Sequence, residues 1–242
     1  ASERWLSCPA SVRLSQRAPK QPESAYAAEG TTAHALLEIE GQYAFGQITK
    51  RQYDLRFEKW LKGAEMNDYD ILEMRSHINE MVEFLKEQVA DAGPHAQISF
   101  EQRMATGIES CWGTGDVVIY GMTVVKIIDL KYGAGVPVDA ENNSQLRLYG
   151  CGALDAFGDL LGDTETVETI IYQPRLESIT SETLTAQELR DWREEIRPIA
   201  AEALAGSERF GASEKACRWC PVAATCRVRV EQATSVDFGS DP

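Results

Sequence analysis

The stretch that decides the fold is GTGDVVIYGMTVVKIIDLKYG, residues 113–133. It contains two apolar runs rich in β-branched residues, and Gly121-Met122 lies between them. Such runs predict β-strands, and a glycine between them predicts a tight hairpin turn. Because paired strands bring cross-strand neighbours together, the hairpin places Asp116 opposite or diagonal to Asp129.

Helices and strands alternate on both sides of this hairpin. Further strands are predicted for AQISFEQRM before it and ETIIYQPRL after it. Apolar residues at helical spacing predict helices beginning near Thr31, spanning residues 69–90, and beginning near Asn143 and Thr185, with a kink or a new turn at Pro198. The order α-α-β-β-β-α-β-α predicts one α/β domain with a central mixed sheet flanked by helices.

The domain boundaries follow from composition. We assign residues 1–242 to a single domain with a core of about 31–205. Residues 1–30 are interrupted by prolines and are predicted to be irregular, and residues 232–242 are predicted to form a disordered tail. Residues 1–30 and 206–231 contain the clustered cysteines described below.

The formal net charge of −14 excludes a protein coated in positive potential for nucleic acid. Basic residues nevertheless outnumber acidic ones in residues 1–20 and 206–231, which allows a local basic track. The chain has no run of 18 apolar residues, and its N-terminus lacks the apolar stretch of a signal peptide. We therefore expect a cytoplasmic protein with no membrane partner.

Asp116, Asp129 and Lys131 form the first candidate site. Two carboxylates at one point offer the hard oxygen ligands that suit Mg²⁺ or Mn²⁺. A lysine beside them can position a water or stabilise charge on a phosphoryl oxygen. Taken alone, these three residues favour a simpler interpretation, a surface ion pair between Asp129 and Lys131 with Asp116 at a turn.

Further residues point to the same place in the fold. His34 lies in the first turns of a predicted helix, and histidine is a common metal ligand. Gln145 and Tyr149 lie four residues apart and so project from one helix face. Glu101, in the strand before the hairpin, is either a further acid near a metal or a charge on a sheet edge, and we favour the edge charge.

These motifs together resemble those of RecB-like nucleases in the PD-(D/E)xK superfamily, with a restriction-endonuclease-like core. The matching patterns are G-D, D-x-K, Q-x-x-x-Y and G-x-x-x-H, and they occur in this chain at Gly115-Asp116, Asp129–Lys131, Gln145–Tyr149 and Gly30–His34. The resemblance implies that Mg²⁺ or Mn²⁺ is bound by His34, Asp116, Asp129 and the backbone carbonyl of Leu130.

The same resemblance assigns roles to the remaining motif residues. Lys131 would be the catalytic lysine, and Gln145 and Tyr149 would help to hold the DNA strand or the lysine. The second acid is Asp129, where many relatives carry a glutamate, although the family pattern accepts either.

The cysteines form a second pattern, Cys217-x-x-Cys220-x5-Cys226, with Cys8 as a candidate fourth thiolate. It resembles the iron–sulfur staple of AddB-type nucleases and CRISPR-associated RecB-like exonucleases. That resemblance implies a 4Fe-4S cluster held by these four cysteines; zinc is the less favoured alternative, followed by a disulfide or free thiols.

The function implied by the resemblance is a Mg²⁺- or Mn²⁺-dependent DNA exonuclease. The chain has no G-x-x-x-x-G-K-[ST] loop, so it is similar to stand-alone enzymes encoded by phages, which act on linear DNA in recombination or DNA processing in the bacterial host cytoplasm. A homo-oligomer or a recombination partner protein remains open. The alternatives are a non-catalytic DNA-binding or adaptor module on the same fold and a zinc-stabilised interaction protein.

Overall fold

The computed structural model describes residues 2–19, 24–157 and 165–234. These residues divide into two compact units. The larger unit takes its residues from Glu23–Gly107 and Cys111–Arg190, and the smaller from Ala1–Pro22, Ile108–Ser110 and Asp191–Pro242. Most of the tail predicted to be disordered, residues 235–242, lies outside the described residues.

A five-stranded mixed sheet forms the centre of the larger unit. Its strands are adjacent in chain order, and neighbours are antiparallel except for the parallel pair of the third and fourth strands. The strands are β1 Gln97–Ala105, β2 Trp112–Tyr120, β3 Val124–Leu130, β4 Thr166–Gln173 and β5 Ser178–Thr185. The predicted mixed sheet is confirmed, and so is the tight turn, where the Gly121 amide donates to the Val124 carbonyl at 2.8 Å.

The helices are α1 Ser2–Ser7, α2 Ala10–Gln16, α3 Ala25–Ala44, α4 Lys50–Gly63, α5 Asp68–Asp91, α6 Ser144–Phe157, α7 Ala186–Leu204, α8 Glu214–Arg218 and α9 Arg227–Thr234. Within the part of the chain that the structure describes, none of them is long and apolar enough to cross a membrane.

Helices cover both faces of the sheet. On one face, α3 and α5 bury their apolar stripes against alternate residues of β2 and β3, such as Val117 and Ile128. On the other face lies α6, whose Phe157 ring centroid is 4.0 Å from that of Tyr120. Since β2 and β3 are covered on both sides, they read as continuous apolar runs in the sequence. The larger unit is therefore an α/β fold.

The structure contains elements that the sequence patterns did not predict. α1 and α2 lie in the segment predicted to be irregular, and Pro9 is the residue just before α2, where its missing amide costs nothing. α4 and β5 are also additional, and α7 runs without interruption through Pro198. The residues of β5 are alternately half-buried and exposed, so no apolar run marked it as a strand.

The smaller unit brings the two ends of the chain together. α1 packs against α8, and the Ala10 amide donates to the Arg209 carbonyl at 3.1 Å. Gly211 makes the close approach possible, because a Cβ at this position would lie 1.8 Å from the Ser7 carbonyl oxygen. This arrangement positions the segment containing Cys8 beside the segment containing the other three clustered cysteines.

Candidate active site

The register of the β2–β3 hairpin places the first two acids of the site. Val117 pairs with Ile128, so the next position along the two strands sets Asp116 opposite Asp129. The Leu130 amide then donates to Asp116 Oδ2 at 2.8 Å, which fixes the Asp116 carboxylate against β3. The structure thus brings together the two carboxylates that the sequence predicts to be neighbours, and it buries both: 8% of Asp116 and 3% of Asp129 is exposed.

Lys131 follows β3 directly and turns back to Asp129. Its Nζ lies 2.5 Å from Asp129 Oδ2, and about a third of its side chain is exposed. Burial raises the pKa of Asp129 to about 6, although the Lys131 charge opposes the rise. Burial lowers the pKa of Lys131, but the charge and hydrogen bond of Asp129 together with the Asp116 charge raise it overall. Lys131 is therefore held as a cation.

His34 reaches the acids from α3. Its Nδ1 lies 3.1 Å from Asp116 Oδ1, and 28% of its side chain is exposed. Burial lowers the pKa of His34, but the hydrogen bond and charge of Asp116 raise it overall. The helix that carries His34 is fixed by core residues on its other side, including the buried Leu36 and Leu37. The site is thus assembled from α3 and the hairpin.

Glu101 belongs to the same group. Its neighbours pair across β1 and β2, Phe100 with Val117 and Gln102 with Gly115, so Glu101 faces Asp116. Its Oε1 lies 4.0 Å from His34 Nδ1. The sequence favours an edge charge for Glu101, and β1 is an edge strand, but the carboxylate lies within the site.

The backbone of Glu101 carries a mark of this placement. Its φ of 49° lies in the left-handed region, which costs a non-glycine residue about 1–3 kcal/mol. Burial and the Asp116 charge also raise the pKa of the Glu101 carboxyl. The sequence signal for this placement is the register of β1 on β2, which sets Glu101 opposite Asp116.

These residues fit a divalent cation. Ligand atoms of His34, Glu101 and Asp116 all lie within 4.8 Å of one another, so a single ion can contact them together. With Asp129 included, three carboxylates face Lys131 and His34, so negative charge is in excess even when the imidazole is protonated. Carboxylate oxygens with one imidazole suit Mn²⁺ or Mg²⁺.

Leu130 contributes through its backbone, since its side chain is fully buried in the core. Its amide is the group that holds Asp116, and its proposed role as a carbonyl ligand stays a prediction.

Gln145 and Tyr149 lie on α6, as the sequence predicts. Gln145 Nε2 donates to Tyr149 Oη at 3.0 Å. The Tyr149 ring packs on the backbone of β2, where a Cβ at Gly113 would lie 2.4 Å from a ring carbon. Burial raises the pKa of the Tyr149 phenol, and the charges of Asp129 and Asp116 add to the rise, so this pair borders the acidic group.

The four clustered cysteines line one cavity of the smaller unit. None of the four forms a disulfide, and apolar residues, among them Leu14, Phe210 and Val222, complete the lining. Among the described residues, no three cysteine sulfurs lie within 4.8 Å of one another. Sulfurs bound to a single zinc ion are only about 3.8 Å apart, because each Zn–S bond is about 2.3 Å.

The chain matches the family model described as "Protein of unknown function (DUF2800)" over residues 1–240. It belongs to this family. Among solved structures, the chain is similar to that of SSO0001, with 13% identity over 90% of this chain and 93% of that chain and a TM-score of 0.34. A likeness at this level leaves the function of this DUF2800 protein to be argued from its own site.

Proposed function

We propose that this DUF2800 protein is a metal-dependent nuclease that hydrolyses phosphodiester bonds of DNA, with a PD-(D/E)xK core of the RecB-like kind. The observation that supports it most is the convergence of Asp116, Asp129 and Lys131 with His34. The strand order and the D-x-K motif at the end of β3 agree with that proposal.

Each side chain has a task in this proposal. His34, Glu101 and Asp116 hold the cation. Asp129 orients Lys131 and stays the further ligand that the resemblance implies. A bound Mg²⁺ or Mn²⁺ supplies a Lewis acid and lowers the pKa of a coordinated water. Because its raised pKa keeps Lys131 protonated, this lysine stabilises negative charge on the phosphoryl oxygens rather than acting as a base.

Exonuclease action on linear DNA is tested with end-labelled linear and circular DNA in Mn²⁺. We expect the wild-type protein to degrade the linear substrate alone, and Asp116→Asn to leave it intact. Asp54→Asn is the matched control, since Asp54 is an exposed aspartate paired with Lys50 on α4. Unchanged digestion by Asp116→Asn would reject the site, and an inert wild-type protein that binds DNA would favour the adaptor.

We further propose that the cysteine cavity holds a 4Fe-4S cluster that staples the two ends of the chain. The four cysteines that line one cavity supply the thiolates that such a cluster needs, and the apolar residues that complete the lining would shield it from water. Anaerobically purified protein should be brown, with about four iron and four sulfide per chain. A colourless protein with stoichiometric zinc would refute the cluster and leave the nuclease proposal standing.

A further inference from the structure

The outer part of the β1–β2 hairpin extends beyond the rest of the sheet. β2 pairs with β3 only from Val117 to Tyr120, whereas its first half pairs with β1 alone. Residues 102–105 and 112–115 therefore form a two-stranded ribbon. This ribbon begins where Glu101 faces Asp116, so it leads directly away from the acidic group.

One face of the ribbon is covered. A Cβ at Gly113 would meet the Tyr149 ring, and a Cβ at Gly152 on α6 would lie 3.0 Å from Met104 Cβ. Met104 is 2% exposed. The α6 side of the ribbon is thus packed, and the opposite face is the one with exposed side chains that could contact a ligand.

The open face carries Arg103 and Trp112. Alternate residues of a strand point to opposite sides, so these two lie on the face away from Met104 and Gly113. The Arg103 guanidinium stacks over the Trp112 ring at 4.2 Å from its centroid. Trp112 is nevertheless 62% exposed, so part of its aromatic surface has no protein partner.

This pair is positioned on the same face as the acids. Asp116 is four residues along β2 from Trp112, which corresponds to about 13 Å at about 3.3 Å per residue. On the neighbouring strand, Glu101 is two residues along β1 from Arg103, and it lies on the same face. A strand of nucleic acid that crosses this face would meet the aromatic ring and the guanidinium before it reaches the carboxylates.

We propose that Arg103 and Trp112 form a stacking platform for a base of single-stranded DNA that leads into the acidic site. The proposal rests on the nuclease function above and names the substrate form that the site takes. An aromatic ring stacks on any base, and a guanidinium attracts the backbone phosphate, which the acidic surroundings would otherwise repel. A base in the interior of a duplex is stacked between its neighbours and cannot offer its face to the ring.

The test measures binding without hydrolysis. Fluorescein-labelled oligo-dT and a blunt duplex are titrated with full-length protein in EDTA, and anisotropy gives the Kd. We expect Trp112→Ala to weaken oligo-dT binding about tenfold, as for one lost stacked base, and to change duplex binding less. Trp112→Phe should keep most of the affinity but lose the quenching of tryptophan fluorescence that oligo-dT causes in the wild type.

Tyr69→Ala is the control, because Tyr69 is an exposed aromatic residue on α5. Equal losses in Trp112→Ala and Tyr69→Ala, or no loss in Trp112→Ala, would overturn the platform, with circular dichroism checking that both variants fold. The digestion of linear DNA by the wild type in Mn²⁺ is measured in parallel. Normal digestion with an unaffected Trp112→Ala affinity overturns the platform alone, whereas absent digestion counts against the nuclease proposal itself.

Discussion

Lys126 lies within β3 and Lys131 just after it, five positions apart. The two lysines differ in their own burial and in the burial of the carboxylates that they contact. Lys126 is 2% exposed, and its Nζ contacts Gln88 Oε1 at 2.7 Å, Asp91 Oδ2 at 2.6 Å and Glu168 Oε2 at 3.0 Å. Lys131 is more exposed, yet the carboxylate it contacts is almost completely buried.

The carboxylate partners show the difference most clearly. Asp91 is mostly exposed, and the hydrogen bond from Lys126 lowers its pKa. Asp129 is buried, and burial raises its pKa to about 6 in spite of Lys131. The first lysine completes a satisfied structural network at the rim of the core. The second sits in a group with surplus negative charge, which a bound cation would neutralise.

Removal of Lys131 should have the largest effect, and it should fall on activity. Lys131→Met removes the cation but keeps the aliphatic length, so we expect linear DNA digestion to fall at least about 100-fold. The free energy of unfolding should fall as well, because the buried Asp129 carboxylate is left without its cation, so digestion is compared per folded protein. End-labelled digestion and urea denaturation measure the two quantities. Lys86→Met, at an exposed lysine on α5, should change neither.

Removal of Lys126 should have its main effect on the free energy of unfolding rather than on the digestion of DNA. Lys126→Ala leaves a cavity and withdraws the partner of three oxygens, so we expect a loss of about 2–4 kcal/mol in the free energy of unfolding. Lys126→Met fills most of that volume and should lose less. Urea denaturation gives both values, and a loss in Lys126→Ala no greater than in Lys86→Met would contradict the comparison.

Glu101 tests whether the acidic group is built for a cation. Glu101→Gln keeps the shape of the side chain and removes one charge, so Mn²⁺ affinity measured by isothermal titration calorimetry should fall about tenfold. Glu101→Gly should lose affinity as well but relieve the left-handed backbone, leaving the unfolding free energy unchanged or higher. Mn²⁺ affinity that is indifferent to both substitutions would exclude Glu101 as a ligand.

The smallest expected effect is on the stability of the fold at acidic pH. Because Lys126 lowers the pKa of Asp91 below its ordinary value of 3.8, the pair stabilises the fold fully above that pH and loses this contribution as the pH falls through the lowered pKa. Asp91→Asn should therefore reduce the unfolding free energy at neutral pH and not below the lowered pKa. Thermal unfolding across this range measures the difference, with Glu87→Gln, at an exposed residue of α5, as the control.

Several features of the site followed from local pattern. The two apolar runs and Gly121 predict the hairpin, and that hairpin alone sets Asp116 against Asp129 and Lys131. The helical spacing of Gln145 and Tyr149 likewise predicts their shared face, and the structure joins them by a hydrogen bond.

Other elements gave weaker signals. β5 has a half-buried face but few apolar residues, and one of them, Ile179, is 53% exposed. The alternation of apolar and polar residues that marks a strand is therefore weak in β5. α4 does carry a pattern, because Tyr53, Phe57 and Trp60 follow helical spacing behind a capping box at Thr49. A run dominated by charged residues obscured that pattern.

The sequence by itself determined the central hairpin, the mixed sheet and the pair of acids with its lysine, because turn chemistry and strand period act over a few residues. Only the tertiary structure decided that Glu101 joins that pair and that Arg103 and Trp112 share an open face with it. His34 lies beside Asp116, and Cys8 lines one cavity with the other three clustered cysteines; the resemblance implied both groupings, whereas no local pattern did. These contacts depend on how separate helices and strands pack together, and local periodicity predicts the elements but not the distances between them.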